Sequence, residues 1–239
     1  MSLPRCVDAG EIERRLFGAY GEETGGRRVR QTTVETLNLS PSEFERGYLA
    51  FQAREPRDAM YKTATFLVRH FWGQPRKMAD GMGVLLLTWN QAFYRYGYFD
   101  FARLEETLRA NVAVIEELQP RNILSLAQAD EHTVRHLFLA FLDALRITEG
   151  KKKDCTSPVA VAKALHLLAP DFLPIWDYSI ARAYGCNYNL HPARKYATFA
   201  YKMQALARQL QDRVPPGGDR TFLKLIDEYN YAKYTKHWI

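Results

Sequence analysis

Apolar residues recur every three or four positions through most of this 239-residue chain. This is the spacing of α-helices that bury one face, and it constrains the fold more than any other feature of the sequence. Segments that alternate apolar and polar residues do not recur, so a sheet-based domain is not predicted. We therefore predict an all-α protein of about ten helices. The clearest stripe consists of Val134, Leu137, Phe138, Phe141, Leu142 and Leu145.

Capping residues, glycines and prolines indicate where the helices begin and end. The sequence Ser-Pro-Ser-Glu at residues 40–43 predicts a helix start with a capping box, and Ser-Pro at residues 157–158 predicts another start. The glycine-rich stretch 73–83 interrupts the helical spacing, so the next helix is expected to begin near Val84. We expect residues 1–239 to form a single all-α domain, with a division into two helical lobes near residues 73–83 as the alternative.

Further expectations concern the two ends of the chain. A first helix is expected over residues 8–20, and residues 32–36 leave room for a short strand. The Pro-Pro-Gly-Gly sequence at residues 215–218 predicts a break, after which Asp219 is expected to cap the last helix.

Positive charge is concentrated near the C-terminus. The formal net charge is +6, and residues 185–239 alone contain nine Lys/Arg and four Asp/Glu. Such asymmetry favours an acidic partner, and nucleic acid is the partner that we expect. The alternative is a solvated surface that is basic without serving a partner.

The chain contains no apolar run of about 20 residues, so no membrane association is expected. The N-terminal residues include acids and no apolar signal core. The cysteines, Cys6, Cys155 and Cys186, are odd in number and widely spaced, and this pattern predicts reduced thiols rather than a disulfide framework. A cytoplasmic location is therefore expected.

One segment carries a chemical signal, and it runs from Ser157 to Arg182. An apolar helix is followed by a loop with prolines and then by Asp177 at the start of a second helix. Asp177, Ile180 and Arg182 fit the pattern D-x-x-[VI]-x-R, and the segment resembles the catalytic region of the helix-hairpin-helix base-excision DNA glycosylases. The resemblance covers about 26 residues and implies a divergent glycosylase-like helical core. It also implies that Asp177 is the catalytic residue.

The chemistry of these enzymes explains why an aspartate is required. Cleavage of an N-glycosidic bond develops positive charge on the sugar, and a nearby carboxylate stabilises that charge and orients water. Flipping the base out of the duplex brings the sugar to the carboxylate. The alternative is that Asp177 serves only as a helix N-cap, which is a common role for aspartate.

The sequence departs from the family pattern in two places. The family's hairpin has the form L-x-G-x-G, whereas residues 150–157 contain a single glycine and three consecutive lysines. The lysine of the bifunctional members would fall near Val159 or Ala160, where this chain has none. Lys163 lies one turn later and is expected at the surface. Any excision is therefore expected to be monofunctional, with water as the nucleophile.

Basic residues around this segment are candidates for phosphate contacts. Three lysines before a helix N-terminus can hold a phosphate through charge and the helix dipole, although such loops are more often solvated. Tyrosines that alternate with cations after Arg182 suit stacked bases, and they suit a helix interface equally well. The nucleic-acid-binding candidates are Lys151, Lys152, Lys153, Arg182, Arg194 and Lys195.

Other signals for chemistry are weak. His132 and His136 share a helix face, but no third ligand stands at motif spacing, so no metal site is predicted. His166 lies within an apolar helix and is expected to be a packed histidine. The sequence contains no P-loop, GxGxxG, GxSxG or HExxH motif, and no cofactor is predicted.

Two functions from different classes remain open. The first is nucleic-acid binding, with monofunctional base excision through Asp177 as the enzymatic form. The second is a catalytically inert helical interaction or scaffold protein that reuses the fold. Steep salt dependence of DNA affinity distinguishes the first from the second.

Overall fold

A computed structural model describes residues 39–211 and 220–239. Within these ranges the chain forms ten α-helices and no strand, which confirms the predicted all-α fold. A 3₁₀ turn at Ile123–Ser125 and a π-helical turn at Tyr231–Thr235 complete the regular structure of this part of the chain. The α-helices are α1 (Pro41–Arg54), α2 (Ala59–His70), α3 (Pro75–Trp89), α4 (Gln91–Tyr94), α5 (Phe101–Leu118), α6 (Asp130–Ala144), α7 (Pro158–Leu168), α8 (Tyr178–Ala183), α9 (Pro192–Leu210) and α10 (Phe222–Asn230).

Some sequence predictions fall outside the described residues. These are the helix over residues 8–20, the strand at residues 32–36, the break at residues 215–218 and the cap at Asp219. The N-cap of α10 is Thr221, whose hydroxyl accepts a hydrogen bond of 3.2 Å from the Lys224 amide.

The predicted starts of α1 and α7 are confirmed. The hydroxyl of Ser40 accepts a hydrogen bond of 3.2 Å from the Glu43 amide, and proline occupies the first turn of both helices. The capping box is not formed, because the carboxylate of Glu43 accepts hydrogen bonds from Lys233 at 2.5 Å and Tyr229 at 3.2 Å. Glu43 therefore joins the start of α1 to the C-terminal helix rather than closing its own cap.

The predicted helix start at Val84 is wrong, since α3 runs without a break from Pro75 to Trp89. Its glycines lie where other helices approach closely. A Cβ atom on Gly81 would stand 2.9 Å from Cβ of Leu67 in α2, and one on Gly83 would stand 2.7 Å from the Phe101 ring. The glycines thus permit close contacts between helices. The division of the chain into two lobes near residues 73–83 stays a prediction.

Helix α7 lies at the centre of the described fold. It packs against α3 and α6, and ten of its eleven residues are buried. Helix α10 packs against α1, and the π-helical turn that follows it contacts α8. The start of α8 therefore lies where the centre of the fold meets the C-terminal segment.

The tyrosines that follow Arg182 mostly belong to the core. Tyr184, Tyr188 and Tyr196 are buried, and the Tyr184 hydroxyl donates a hydrogen bond of 2.7 Å to Asn230. This placement favours the helix-interface interpretation of these rings over base stacking.

Two further sequence expectations can be compared with the fold. Throughout residues 39–211 and 220–239, no helix combines the length and the apolar character needed to cross a bilayer. Cys186 is free and buried, but Cys155 is disulfide-bonded, so the expectation of reduced thiols is wrong at Cys155. Cys6 lies outside the described residues.

Candidate functional site

A cavity of about 190 Å³ lies beside Asp177, between the ends of α1 and α3, the middle of α7 and the C-terminal segment. Aromatic rings of Phe51, Trp89, Trp176 and Tyr231 form part of its wall. Its charged lining residues are Glu55, Asp58, Lys163, Asp177 and Asp227. Carboxylates therefore outnumber ammonium groups on this wall by four to one.

Asp177 lies at the start of α8, as the sequence predicts. Its Oδ1 accepts a hydrogen bond of 2.8 Å from the Ile180 amide, which caps the helix. Its Oδ2 accepts one of 2.5 Å from the Thr235 hydroxyl in the π-helical turn. The carboxylate is half-buried and lines the cavity, so it is a helix cap and a cavity group at once.

The loop that leads to Asp177 is held by three buried side chains. His166 Nδ1 lies 2.8 Å from the Leu173 carbonyl oxygen, and the Tyr196 hydroxyl donates to the Pro174 carbonyl oxygen at 2.8 Å. Trp176 donates through Nε1 to the Pro158 carbonyl oxygen at 3.1 Å. The first two bonds satisfy loop carbonyl groups in the interior, and the third ties the loop to the start of α7, so together they fix the position from which Asp177 enters the cavity.

Lys163 is not at the surface, so the sequence expectation for it is wrong. Only 8% of the residue is exposed, and it lines the cavity. Its Nζ donates hydrogen bonds to Asn90 Oδ1 at 2.7 Å and to the Trp89 carbonyl oxygen at 3.2 Å. Burial lowers the pKa of Lys163 to about 8, although the charges of Asp177 and Asp227 act in the opposite direction. Near neutral pH the cavity thus contains an ammonium group that readily releases its proton.

A second buried lysine, Lys224, lies behind the cavity wall. Its Nζ is 3.3 Å from carboxylate oxygens of both Asp58 and Asp227 and 3.9 Å from Glu228. It also lies 4.6 Å from the ring centre of Phe51. Burial works against its charge, but the surrounding carboxylates outweigh this and raise the pKa of Lys224. Burial raises the pKa of Asp227 and of Glu228.

Asp58 has an unusual conformation for a residue that precedes a helix. Its φ is +41°, in the left-handed region, and its side chain does not cap α2. The carboxylate turns instead toward Lys224, and its buried Oδ2 lies 3.3 Å from Lys224 Nζ as an ion pair without hydrogen-bond geometry. Left-handed backbone at a residue other than glycine costs stability, and such residues concentrate at functional sites.

The predicted phosphate-binding residues are separate from the cavity lining. Lys151 and Lys153 are exposed, whereas Lys152 folds back and donates to the Ala92 carbonyl oxygen at 3.1 Å. Arg182 and Arg194 are exposed, and Lys195 is half-buried. Their contacts with phosphate stay predictions.

His166 is a packed histidine, as expected. It is fully buried, and because Nδ1 must donate to the Leu173 carbonyl oxygen, Nε2 accepts from the Tyr61 hydroxyl at 2.9 Å. His132 and His136 are exposed. Among residues 39–211 and 220–239, no group of three or more His, Cys, Asp or Glu side chains is arranged to hold a metal ion.

Acid should destabilise the protein through His166. Burial lowers the pKa of His166 from 6.5 to about 3. Between these values the unfolded chain binds a proton that the folded chain excludes, so stability is full above pH 6.5 and falls below it. The expected loss is about 1.4 kcal/mol for each pH unit below 6.5. Chemical denaturation between pH 4 and 8 measures it.

A variant pair isolates this contribution from that of the buried carboxyl groups. His166→Gln should show a flatter pH dependence than the wild-type protein between pH 4 and 6.5. His136→Gln removes an exposed histidine and should leave the slope unchanged. Equal slopes in wild type and His166→Gln would contradict the assignment.

Comparison of the chain with models of known protein families, with curated protein sequences and with solved structures found no match. The functional argument therefore depends on the cavity and on its residues.

Proposed function

We propose that this protein binds nucleic acid and removes a base by hydrolysis of the N-glycosidic bond, with Asp177 as the catalytic carboxylate. The observation that carries the proposal is the position of Asp177 in the wall of a small cavity with aromatic sides. At about 190 Å³ the cavity is smaller than the roughly 300–1,000 Å³ typical of sites for drug-sized ligands. A single flipped base is a ligand of suitable size and shape.

The reaction requires charge stabilisation at the sugar. As the bond between C1′ and the base nitrogen breaks, its electron pair leaves with the base and positive charge develops on the sugar. The Asp177 carboxylate stabilises that charge and orients a water molecule. The water oxygen bonds to C1′, one water proton stays on the new C1′ hydroxyl, and the other is passed to the leaving base. Neither step requires a metal or an organic cofactor.

Thr235 is a positioning residue for this reaction. Its hydroxyl donates to Asp177 Oδ2, while the Ile180 amide donates to Oδ1. Two donors from different elements fix the carboxylate plane, and this rigidity is what a preorganised electrostatic site requires. The C-terminal segment is therefore part of the proposed active site.

Exposed basic residues would bind the nucleic-acid backbone. Lys151 and Lys153 lie on the loop before α7, and Arg182 lies on α8, the helix that Asp177 caps. Arg194 and Lys195 lie in the first turn of α9. Phosphate contacts of this kind release counterions, so DNA affinity should fall steeply with salt concentration.

The Asp177→Asn variant tests the proposal in a base-release assay on duplex DNA that carries damaged bases. Asn retains the N-cap bond but lacks the charge, so the rate of base release should fall about 10²–10³-fold. Asp100→Asn is the matched control, because Asp100 caps α5 through the Ala102 amide at 2.8 Å and does not line the cavity. The control should retain full activity.

Borohydride in the same assay tests the role of water. If Lys163 attacked the sugar as an amine, reduction of the imine would link the protein to DNA covalently. Hydrolysis through Asp177 predicts base release without such a product. Covalent trapping of the wild-type protein, but not of Lys163→Arg, would show that the nucleophile is Lys163 and not water.

One observation favours the inert interaction protein as a second candidate. Both carboxylate oxygens of Asp177 already accept hydrogen bonds from within the protein. A scaffold role predicts no base release from wild type and no salt-dependent DNA affinity. That pair of results would remove the proposed activity.

A further inference from the structure

The polar groups of the cavity wall are mostly hydrogen-bond acceptors. Glu55, Asp58 and Asp227 lie on the wall together with Asp177. An ionised carboxylate only accepts hydrogen bonds. Of the donors on this wall, Lys163 and Trp176 already donate to protein oxygens, and Tyr231 carries one further hydroxyl. A ligand that carries N–H donors therefore suits this wall better than one that carries only acceptors.

Among the buried carboxylates of the wall, Asp58 receives the least hydrogen bonding from the protein. Its side chain is 5% exposed, and its Oδ2 lies 3.3 Å from Lys224 Nζ as an ion pair that lacks the geometry of a hydrogen bond. A buried charged acceptor without a hydrogen bond costs more stability than a satisfied one. A donor that reaches this carboxylate from the cavity would recover part of that cost.

The charges around Asp58 leave an excess of negative charge on this side of the cavity. Lys224 is shared among Asp58, Asp227 and Glu228, and Glu228 also pairs with Arg220 at 2.7 Å. Glu55 is exposed at the end of α1. A partial positive charge, such as that on an amino group conjugated to an aromatic ring, is favoured here.

Aromatic walls restrict the shape of such a ligand. Phe51, Trp89 and Tyr231 line the cavity together with Asp58 and Asp227. Trp89 is itself stacked on Tyr61, with ring centres 5.9 Å apart and planes inclined by 13°. Flat rings bind well between such side chains.

We infer that the Asp58 side of the cavity is a specificity subsite for a nucleobase that carries an exocyclic amino group. This inference rests on the proposed function and names the class of base that it acts on. The amino group donates to the carboxylate of Asp58, and the ring stacks against the aromatic wall. A base without the amino group leaves that carboxylate with its ion pair to Lys224 and without a hydrogen bond from the ligand.

Direct binding of free bases tests the inference without any excision. The full-length protein is titrated with 9-methyladenine and 9-methylpurine, and separately with 1-methylcytosine and 1-methyl-2-pyrimidinone. Each pair differs only in the amino group. The amino-bearing member should bind about tenfold more tightly, as expected for one added hydrogen bond to a charged acceptor. Asp58→Asn should reduce that preference to less than about threefold.

Equal affinity within both pairs, or absence of binding by all four bases, overturns the inference. If Asp58→Asn does not fold, the two wild-type comparisons decide. A retained amino preference in a folded Asp58→Asn protein also overturns the assignment to Asp58. A preference for the amino-bearing bases without base release would contradict the proposed function but support the subsite. Base release without that preference would support the proposed function but contradict the subsite.

Discussion

Replacement of Lys224 by Met is expected to lower the free energy of unfolding by about 3–5 kcal/mol. Lys224 is 0% exposed and is the shared cation for Asp58, Asp227 and Glu228. Met matches the length of the aliphatic stem but leaves these carboxylates without their common partner. Removing one member of a buried charge group is costly because the charges that remain stay uncompensated. Urea denaturation at pH 7 measures the loss.

The matched control is Lys233→Met. Lys233 also pairs with a carboxylate, that of Glu43, but its side chain is 32% exposed. Water can solvate the separated partner, so the expected loss is about 1 kcal/mol or less. Similar losses in the two variants would mean that the carboxylates around Lys224 are neutral or hydrated in the folded protein.

Replacement of Trp176 by Ala is expected to cost about 3–5 kcal/mol. The indole is fully buried among aromatic rings, with the Tyr196 ring centre 5.2 Å away, and it donates to the Pro158 carbonyl oxygen. Truncation removes this packing and the hydrogen bond to Pro158, and it detaches the chain just before Asp177 from α7. Thermal and chemical unfolding measure the effect.

Tyr178→Ala is the control for this variant, because Tyr178 follows Asp177 directly but is 48% exposed. Its removal should cost less than about 1 kcal/mol. A Trp176→Ala protein as stable as Tyr178→Ala would show that the loop is held without the indole.

Local signals in the sequence predicted the helices well. Ser40, Ser157 and Asp177 cap helices through bonds to amides three residues away, and such bonds depend only on neighbouring residues. The glycines of α3 were misinterpreted because their role depends on other helices. Gly81 permits the approach of α2, and that contact has no counterpart in the local pattern.

The charged interior was missed for a similar reason. Lys163 is buried because Asn90, 73 residues away in sequence, accepts a hydrogen bond from its ammonium group. The position of Lys163 inside the apolar sequence of α7 was the signal that could have indicated its burial. For Lys224, the carboxylates three and four residues later indicated ion pairs within the helix. Nothing local indicated that Asp58 would complete the group.

The anchoring of the loop before Asp177 has a consequence for how this site can vary in evolution. The loop is held through the backbone carbonyl oxygens of Leu173 and Pro174, and every amino acid has a backbone carbonyl. Substitution of Leu173 or Pro174 therefore need not remove these hydrogen bonds, whereas loss of the donors His166 or Tyr196 would. A search for distant homologues should therefore weight these donors, with their distances along the chain to Asp177, above the residues of the loop itself.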